Sequence, residues 1–514
     1  MVGCKLFHIA FTNFMLTQRK KLRLTSLLAL LLQIVMLVSG FVLPRLFLGF
    51  YGSAVNGLIS SITQFLWLVT LAECGIGAVV QSALYKPLTN KDNEELSRIV
   101  VSAEHFFRKI AKLLLLYVCA LVAVYPYIVN NDFGFIFTAS LIVIIAISSF
   151  AQYYFGITYR LLLNSDQLGF VPICVSILTL LLNILLSFVL VCQGASIHVV
   201  KLVSSVVFVI QPLIVFFLAH KWYKIDYSIK YDKTAIPQKW NGIAQHVSTV
   251  VLYSSGVGIL TFFSTLENVS VYSVYALVVN GVRNITVSLT SGMQAFLGNL
   301  YAQGDKASFN RSFDTFELKM HLGVSLFFSI TAVLIVPFVG VYTQGINDAE
   351  YFNPLFGITL TAAWAFFCIR LPYHVAVLAV GHYKQTQMSA VIEVCINICV
   401  SILGAIKFGL VGVALGTLIA MVYRTFYLTW YISKKILNRS IFAFFKLLLA
   451  DLLSCFTFWG IISLYTGNEI NNIFSIEVSS YLEWIKIAML YSVLGMAVFI
   501  FWGMCFFRKR LKFY

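Results

Sequence analysis

The sequence predicts an all-α, polytopic membrane protein of about fourteen transmembrane helices, grouped as six, six and two. Three observations carry this. Hydrophobic residues make up 60% of the 514 residues and charged residues only 11%, a balance that excludes a water-soluble globular fold. Apolar stretches of membrane-spanning length recur from about Leu24 to Phe501. Almost every Lys and Arg falls in alternate gaps between them, as the positive-inside rule requires of a multi-pass chain.

A span needs roughly 20 mostly apolar residues. By that measure the first six are expected at 25–49, 57–84, 111–129, 134–158, 168–192 and 197–219. The next six are expected at 242–264, 270–297, 320–343, 355–380, 388–407 and 409–432. A final pair follows at 447–466 and 485–506. With the N-terminus inside, the cytoplasmic segments collect Lys5 and Lys20, then Lys86, Arg98 and Lys109, then Lys224, Lys233 and Lys239. Further on they collect Lys306 and Arg311, Lys434 and Arg439, and the tail residues Arg508 and Lys512. The outside turns carry mainly acids, such as Asp132, Glu267, Asp348 and Glu469. Both termini are therefore expected on the cytoplasmic side of a bacterial inner membrane.

The formal net charge of +16 is then cytoplasmic-face charge, with anionic membrane lipids as its partner and no nucleic acid. The first apolar run is of full span length and lacks a small-residue cleavage site, so it reads as a span and not as a cleavable signal. The ten cysteines include no CxxC pair and fall mostly inside spans, which argues against a zinc site or a disulfide framework.

The 6+6+2 layout divides the chain at 1–225, 226–435 and 436–514, the last being the extra helix pair and basic tail. Near-equal offsets support a duplication. Asn183-Ile184-Leu185-Leu186-Ser187 resembles Asn397-Ile398-Cys399-Val400-Ser401, and Leu84-Tyr85 followed by Asp92 resembles Leu300-Tyr301 followed by Asp305. The segments Asp92–Lys109 and Asp305–Lys319 are both charged with apolar residues at helical spacing. They fit short helices on the cytoplasmic surface, or solvated connectors.

Ionisable side chains inside spans are costly and mark cavities or pairs. They are Arg45, Glu73, Arg160, Arg283, Arg370, Glu393, Arg424 and Asp451, so cations outnumber acids. Arg45 stands beside Pro44, Arg283 between Asn280 and Asn284, and Arg370 just before Pro372 with His374 one turn on. The repeat offset carries Arg160 onto His374. A guanidinium fork matches the oxygens of a phosphate or pyrophosphate, so Arg45, Arg283, Arg370, Arg160 and His374 are candidates for holding a phosphate-bearing substrate. The competing reading is that each arginine snorkels to a headgroup or pairs with an acid. Glu73 and Glu393 are candidates for coupling to H⁺ or Na⁺, or for ion pairing and hydrogen bonding between helices. Metal-pair, HExxH, GxSxG and phosphate-loop motifs are absent and no outside loop exceeds about twenty residues, so transport is the expected class and not enzymatic catalysis, with no cofactor.

The run Leu48-Gly49-Phe50-Tyr51-Gly52, Val55-Asn56-Gly57-Leu58-Ile59-Ser60-Ser61-Ile62, Leu71-Ala72-Glu73-Cys74-Gly75-Ile76-Gly77 and Ala83-Leu84-Tyr85-Lys86-Pro87-Leu88 resembles the polysaccharide-transporter, or Wzx-type oligosaccharide flippase, branch of the multidrug/oligosaccharidyl-lipid/polysaccharide exporter superfamily. Tyr272-Ser273-Val274-Tyr275 through Gly298-Asn299-Leu300 is similar to that family's eighth span. The resemblance implies two six-helix lobes around a central cavity, plus two extra helices, working by alternating access. It implies an undecaprenyl-pyrophosphate-linked oligosaccharide as cargo, for O-antigen, capsule or exopolysaccharide biosynthesis. It also implies a lumen containing Arg45, Glu73 and Arg283, and a polymerase and other glycan-assembly proteins as partners. A lipid II-type flippase and a cation-coupled multidrug exporter of the same superfamily are the alternatives, and a scaffold in a glycan-assembly complex is a third.

Overall fold

The computed structural model describes residues 18–73, 75–129, 133–229, 232, 243–467, 469 and 472–511. The basic residues Lys5, Lys233, Lys239 and Lys512 and the acidic Asp132 lie outside them. Among the described residues every regular element is helical, as a chain in lipid must be to satisfy its backbone within each segment. Among the described residues, eleven helices are long and apolar enough to cross a membrane. The expected fourteen spans are not matched one for one, and the difference has physical causes. Helix α1 (Gln18–Trp67) runs through expected span 1 and the first part of expected span 2, and is broken at Gly52, with φ 81 and ψ 175. Toward the end of the chain, Tyr383–Lys435 likewise runs through two spans and breaks at Gly409, with φ 56 and ψ −127. Leu266–Ser288 is not among the eleven, because Asn268, Asn280, Arg283 and Asn284 dilute its apolar content.

The chain folds into two compact units, Met1–Tyr51 with Ile62–His246, and Gly52–Ser61 with Val247–Tyr514. In the first unit α1 ends in a 3₁₀ turn, Leu68–Glu73, and α2 (Ile76–Asn90) restarts after Gly75 in the left-handed region. Helix α3 (Asn93–Ile128) is capped by Asp92, whose side chain accepts from the Glu95 N–H at 3.0 Å. Glu94 and Glu95 in its first turn suit the positive end of the helix dipole. The segment expected as a separate surface helix is therefore the first half of one continuous helix, with Leu96, Ile99, Val100 and Phe107 buried. Helix α4 (Phe135–Ala151) passes through a π-helical turn, Gln152–Gly156, into α5 (Ile157–Ser165). Helices α6 (Phe170–Cys192) and α7 (Ile197–Trp222) complete the unit.

The second unit takes residues 52–61 of α1, α8 (Ile243–Phe263) from Val247 onward, α9 (Leu266–Ser288) and α10 (Met293–Ala302). After the Gly52 break the backbone N–H of Ser53 donates to Asp348 Oδ2 at 2.7 Å and the Ser53 hydroxyl to Oδ1 at 2.5 Å. The carboxylate thus caps the restarted helix. Gly57 then lies flush on α9: a Cβ there would overlap the Leu266 carbonyl. Helix α11 (Lys306–Tyr342) repeats the design of α3, with Asp305 accepting from the Ser308 N–H at 2.9 Å. Next come α12 (Pro354–Ile369), α13 (Leu371–Ala379) and α14 (Tyr383–Lys435). Within α14 the Asn397 amide donates to Thr417 Oγ1 at 3.2 Å and the Ser401 hydroxyl to Val413 O at 3.2 Å. These pairs make it an antiparallel hairpin about Gly409, with Gly404 and Gly412 in backbone contact. The last helices, α15 (Phe442–Thr466) and α16 (Tyr481–Leu511), share a core with α11 through Val333, Phe458, Ile462, Tyr491 and Phe499.

Candidate functional site

Four charged residues of the second unit, Arg283, Arg370, Glu393 and Arg424, gather where α12 gives way to α13. Pro372 stands at the start of α13, and Arg370 occupies the junction between the two helices. An interrupted helix inside a spanning segment is a recurring setting for binding sites. The Arg370 side chain is buried, lies over the Phe367 ring at 4.6 Å, and donates through Nη1 to Glu393 Oε1. Glu393, on the first half of α14, is 1% exposed. Its Oε2 accepts from the Ser248 hydroxyl of α8 at 3.3 Å and lies 3.7 Å from Arg424 Nε. Arg424, on the second half of α14, is 2% exposed. It is anchored independently by donating through Nη1 to the Thr386 carbonyl at 3.0 Å and to the Ser389 hydroxyl.

Arg283 of α9 joins this cluster through aromatic rings. Its guanidinium lies 4.5 Å from the Tyr253 centroid and 4.8 Å from that of Trp364, and donates to Asn284 Oδ1 at 3.1 Å. Phe367, which carries Arg370, is 6.1 Å from Tyr253 and 5.3 Å from Trp364. One aromatic trio therefore holds two guanidinium groups, a contact that stabilises each cation by roughly 0.5–2 kcal/mol. Arg283 is half-buried, unlike Arg370 and Arg424.

The electrostatic sum decides what this arrangement can do. Of the cluster's four charged side chains, three are guanidinium groups (Arg283, Arg370, Arg424) and one is a carboxylate (Glu393), a formal sum of plus two. An anion with several oxygens would complete the cluster, and guanidinium forks match phosphate oxygens in pairs.

Of the residues expected to act in substrate handling, the second unit brings together Arg283, Arg370 and Glu393. His374 is half-buried one turn beyond Arg370, its N–H bonded to the Arg370 carbonyl at 3.0 Å. The first unit holds Arg45, Arg160 and Glu73. Arg45 lies back along its own helix, with Nη1 3.7 Å from where a Cβ on Gly49 would sit. Arg160 is exposed on α5. Glu73, at the end of the 3₁₀ turn, accepts from the Tyr153 hydroxyl at 2.5 Å. Tyr153 is aimed by the π-helical turn, a distortion that commonly re-aims side chains at functional positions. Asp451, on α15, is buried and bonded to His321 Nδ1 at 2.6 Å.

Sequence reasoning missed Ser248, Tyr253, Trp364, Phe367 and Tyr153. In a chain that is 15% aromatic nothing local distinguishes a ring beneath an arginine from a ring facing lipid. Arg424 reads as a span-end residue, yet it is among the most deeply buried large side chains of the molecule.

No family model and no curated protein matches the chain. Among solved structures it is similar to the lipid II flippase MurJ in an inward closed conformation, with TM-score 0.67, 17% identity, and coverage of 95% of this chain and 99% of that one. An inward-facing multidrug resistance MATE family transporter of the MOP superfamily matches with TM-score 0.53, 13% identity and coverage of 78% and 95%. A MOP superfamily transporter from Pyrococcus furiosus, described as having a binding pocket of reversed polarity, matches with TM-score 0.52, 11% identity and coverage of 82% and 97%. The chain is thus a helical, multi-pass protein whose fold is similar to that of MurJ and the MATE transporters.

Proposed function

We propose that this protein is a flippase that moves an undecaprenyl-pyrophosphate-linked oligosaccharide repeat unit across the bacterial cytoplasmic membrane. The observation that carries the reading is the excess of two positive charges gathered by Arg283, Arg370 and Arg424 around Glu393 in membrane-spanning helices. A pyrophosphate supplies the missing negative charge and the oxygens for bidentate contacts. Arg283, half-buried and anchored on Tyr253 and Trp364, captures the headgroup first. The sugars stay in water and the polyprenyl tail in lipid while the site is exposed to each side in turn. Transport of this kind needs no bond-making chemistry from the protein. A coupling ion, H⁺ or Na⁺, is assigned to Glu73 within the same reading, and a polymerase receives the delivered unit.

The match to MurJ favours a second reading, lipid II as the cargo. One experiment separates them: lipid-linked pools and surface glycan are measured together in cells lacking the protein and in cells carrying Arg283→Ala. The expected outcome is build-up of one undecaprenyl-pyrophosphate oligosaccharide with loss of the matching glycan, in both strains and at normal protein level. Accumulation of lipid II instead would establish the second reading. Unchanged pools with new sensitivity to cationic drugs would overturn both in favour of a multidrug exporter.

A further inference from the structure

The arginine cluster carries its own anion, and the manner in which that anion is held has a functional meaning. Glu393 is shared unequally. Its Oε1 takes the Arg370 Nη1 directly, whereas Oε2 stands 3.7 Å from Arg424 Nε and 3.3 Å from the Ser248 hydroxyl. Arg424 does not depend on Glu393 for its position, because Thr386 and Ser389 already hold it. Arg370 does: among the described residues, besides the face of Phe367, its side-chain partner is this one carboxylate. Arg370 also stands at the α12–α13 junction, two residues before Pro372, where the helix ladder is weakest.

We propose that Glu393 is an exchangeable internal counter-ion, which releases Arg370 to an incoming diphosphate and is then retained by Arg424 and Ser248. The inference rests on the diphosphate reading of the cluster. Its physical basis is that neither Arg370 nor Glu393 is left unpaired at any stage. Before binding, Arg370 is neutralised by Glu393. After binding, the diphosphate neutralises Arg370 and Arg283, while the carboxylate closes the two longer contacts already aimed at it. Leaving a buried charge unpaired costs several kcal/mol, and a waiting second partner removes that barrier. Glu393 thereby sets how tightly the headgroup is held and allows it to leave again. It acts as a competitor of the cargo and does not touch it.

The test is binding of inorganic pyrophosphate, and in parallel of a short-chain isoprenyl pyrophosphate, to the purified full-length protein by calorimetry. Glu393→Gln frees Arg370 permanently, and affinity for both probes is expected to rise about tenfold, since the binding-competent fraction is no longer limited by the internal competitor. The double variant Glu393→Gln/Arg424→Gln removes one charge of each sign, keeps the excess of two, and serves if the single variant does not fold. It too is expected to bind more tightly. A purely structural ion pair predicts unchanged or weaker binding in every folded variant, and that result overturns the proposal. Wild-type binding that is lost in Arg283→Gln, without tightening in the Glu393 variants, refutes the counter-ion alone. No binding of either probe to the wild type refutes the diphosphate reading and this inference with it. Tightening for the isoprenyl probe only identifies the cargo as a lipid diphosphate; equal tightening identifies the diphosphate itself as what is recognised.

Discussion

Replacing Gly57 by alanine tests how the second half of α1 is seated in its unit. A Cβ at this position would overlap the Leu266 carbonyl oxygen and lie 2.7 Å from its carbon and 3.2 Å from the Ser270 nitrogen. All three are backbone atoms, so no side chain can rotate aside. Carbon atoms pack at about 3.5–4.0 Å, so the two helices must separate by roughly 1 Å. That movement stretches the Asn56 amide–Ser270 hydroxyl bond, now 2.8 Å, and the Ser61–Thr261 hydroxyl pair, now 2.6 Å, beyond useful length. Overpacking costs about 1–3 kcal/mol, and each of the two buried hydrogen bonds adds about 1 kcal/mol. The expected loss is therefore about 3–5 kcal/mol, or, for an unfolding entropy that scales with a chain of 514 residues, a drop of roughly 3–5 °C in the unfolding midpoint. The assay is thermal unfolding of the full-length protein in detergent, followed by tryptophan fluorescence. Gly40→Ala, in the same helix but with nothing within 4 Å of its Cβ, is the control and is expected to match the wild type. A wild-type midpoint for Gly57→Ala would refute the close approach of these two helices.

Two further outcomes are expected. Gly409→Val places a β-branched residue at φ 56, ψ −127, which costs about 1–3 kcal/mol; a lowered unfolding midpoint checks it, and an unchanged one would mean the α14 hairpin turns elsewhere. Hydrogen bonding from Ser308 holds the Asp305 carboxyl below its ordinary range, so its cap on α11 is present above the usual Asp range, about pH 4, and is lost as pH falls through the lowered value. Protection against hydrogen exchange at residues 306–309, taken relative to the intrinsic rate at each pH, should fall in acid in the wild type, and Asp305→Asn should abolish that dependence.

The span pattern was legible because it depends on composition and local period alone. Runs of about 20 apolar residues, separated by basic and acidic gaps, identify a polytopic chain without any knowledge of contacts. Where a span carries its own function the rule weakens: α9 contains Arg283 flanked by asparagines, and the residues that make it a candidate for binding are those that dilute its hydropathy. The breaks at Gly52 and Gly409 fall at the boundaries expected between spans 1 and 2 and between spans 11 and 12, but only the backbone shows that a positive-φ glycine makes each turn. Asp92 and Asp305 could be read as charged boundary residues, but not as caps of helices that continue unbroken into the membrane. The site was half visible. Arg283, Arg370 and Glu393 stand out as buried charges, yet Arg370 and Glu393 are 23 residues apart and Ser248 is 145 from Glu393. Such pairings come from tertiary packing, on which periodicity is silent.

Helices α3 and α11 have a mechanical consequence. At about 1.5 Å per residue, their 36 and 37 residues make rods of roughly 54 Å, against a hydrocarbon core of about 30 Å. Their internal prolines, Pro126 and Pro337, both lie close to the far end from the aspartate cap. The capped half of each rod therefore has no soft point between the charged surface segment and the membrane-embedded segment. Of the basic residues on the capped half, Arg98 is held by Glu94 and Glu95 of its own helix, and the proline-related bending of each rod is confined to its last turns. A charged surface segment and a membrane-spanning segment thus form one stiff unit in each case, so that neither can be re-oriented without the other.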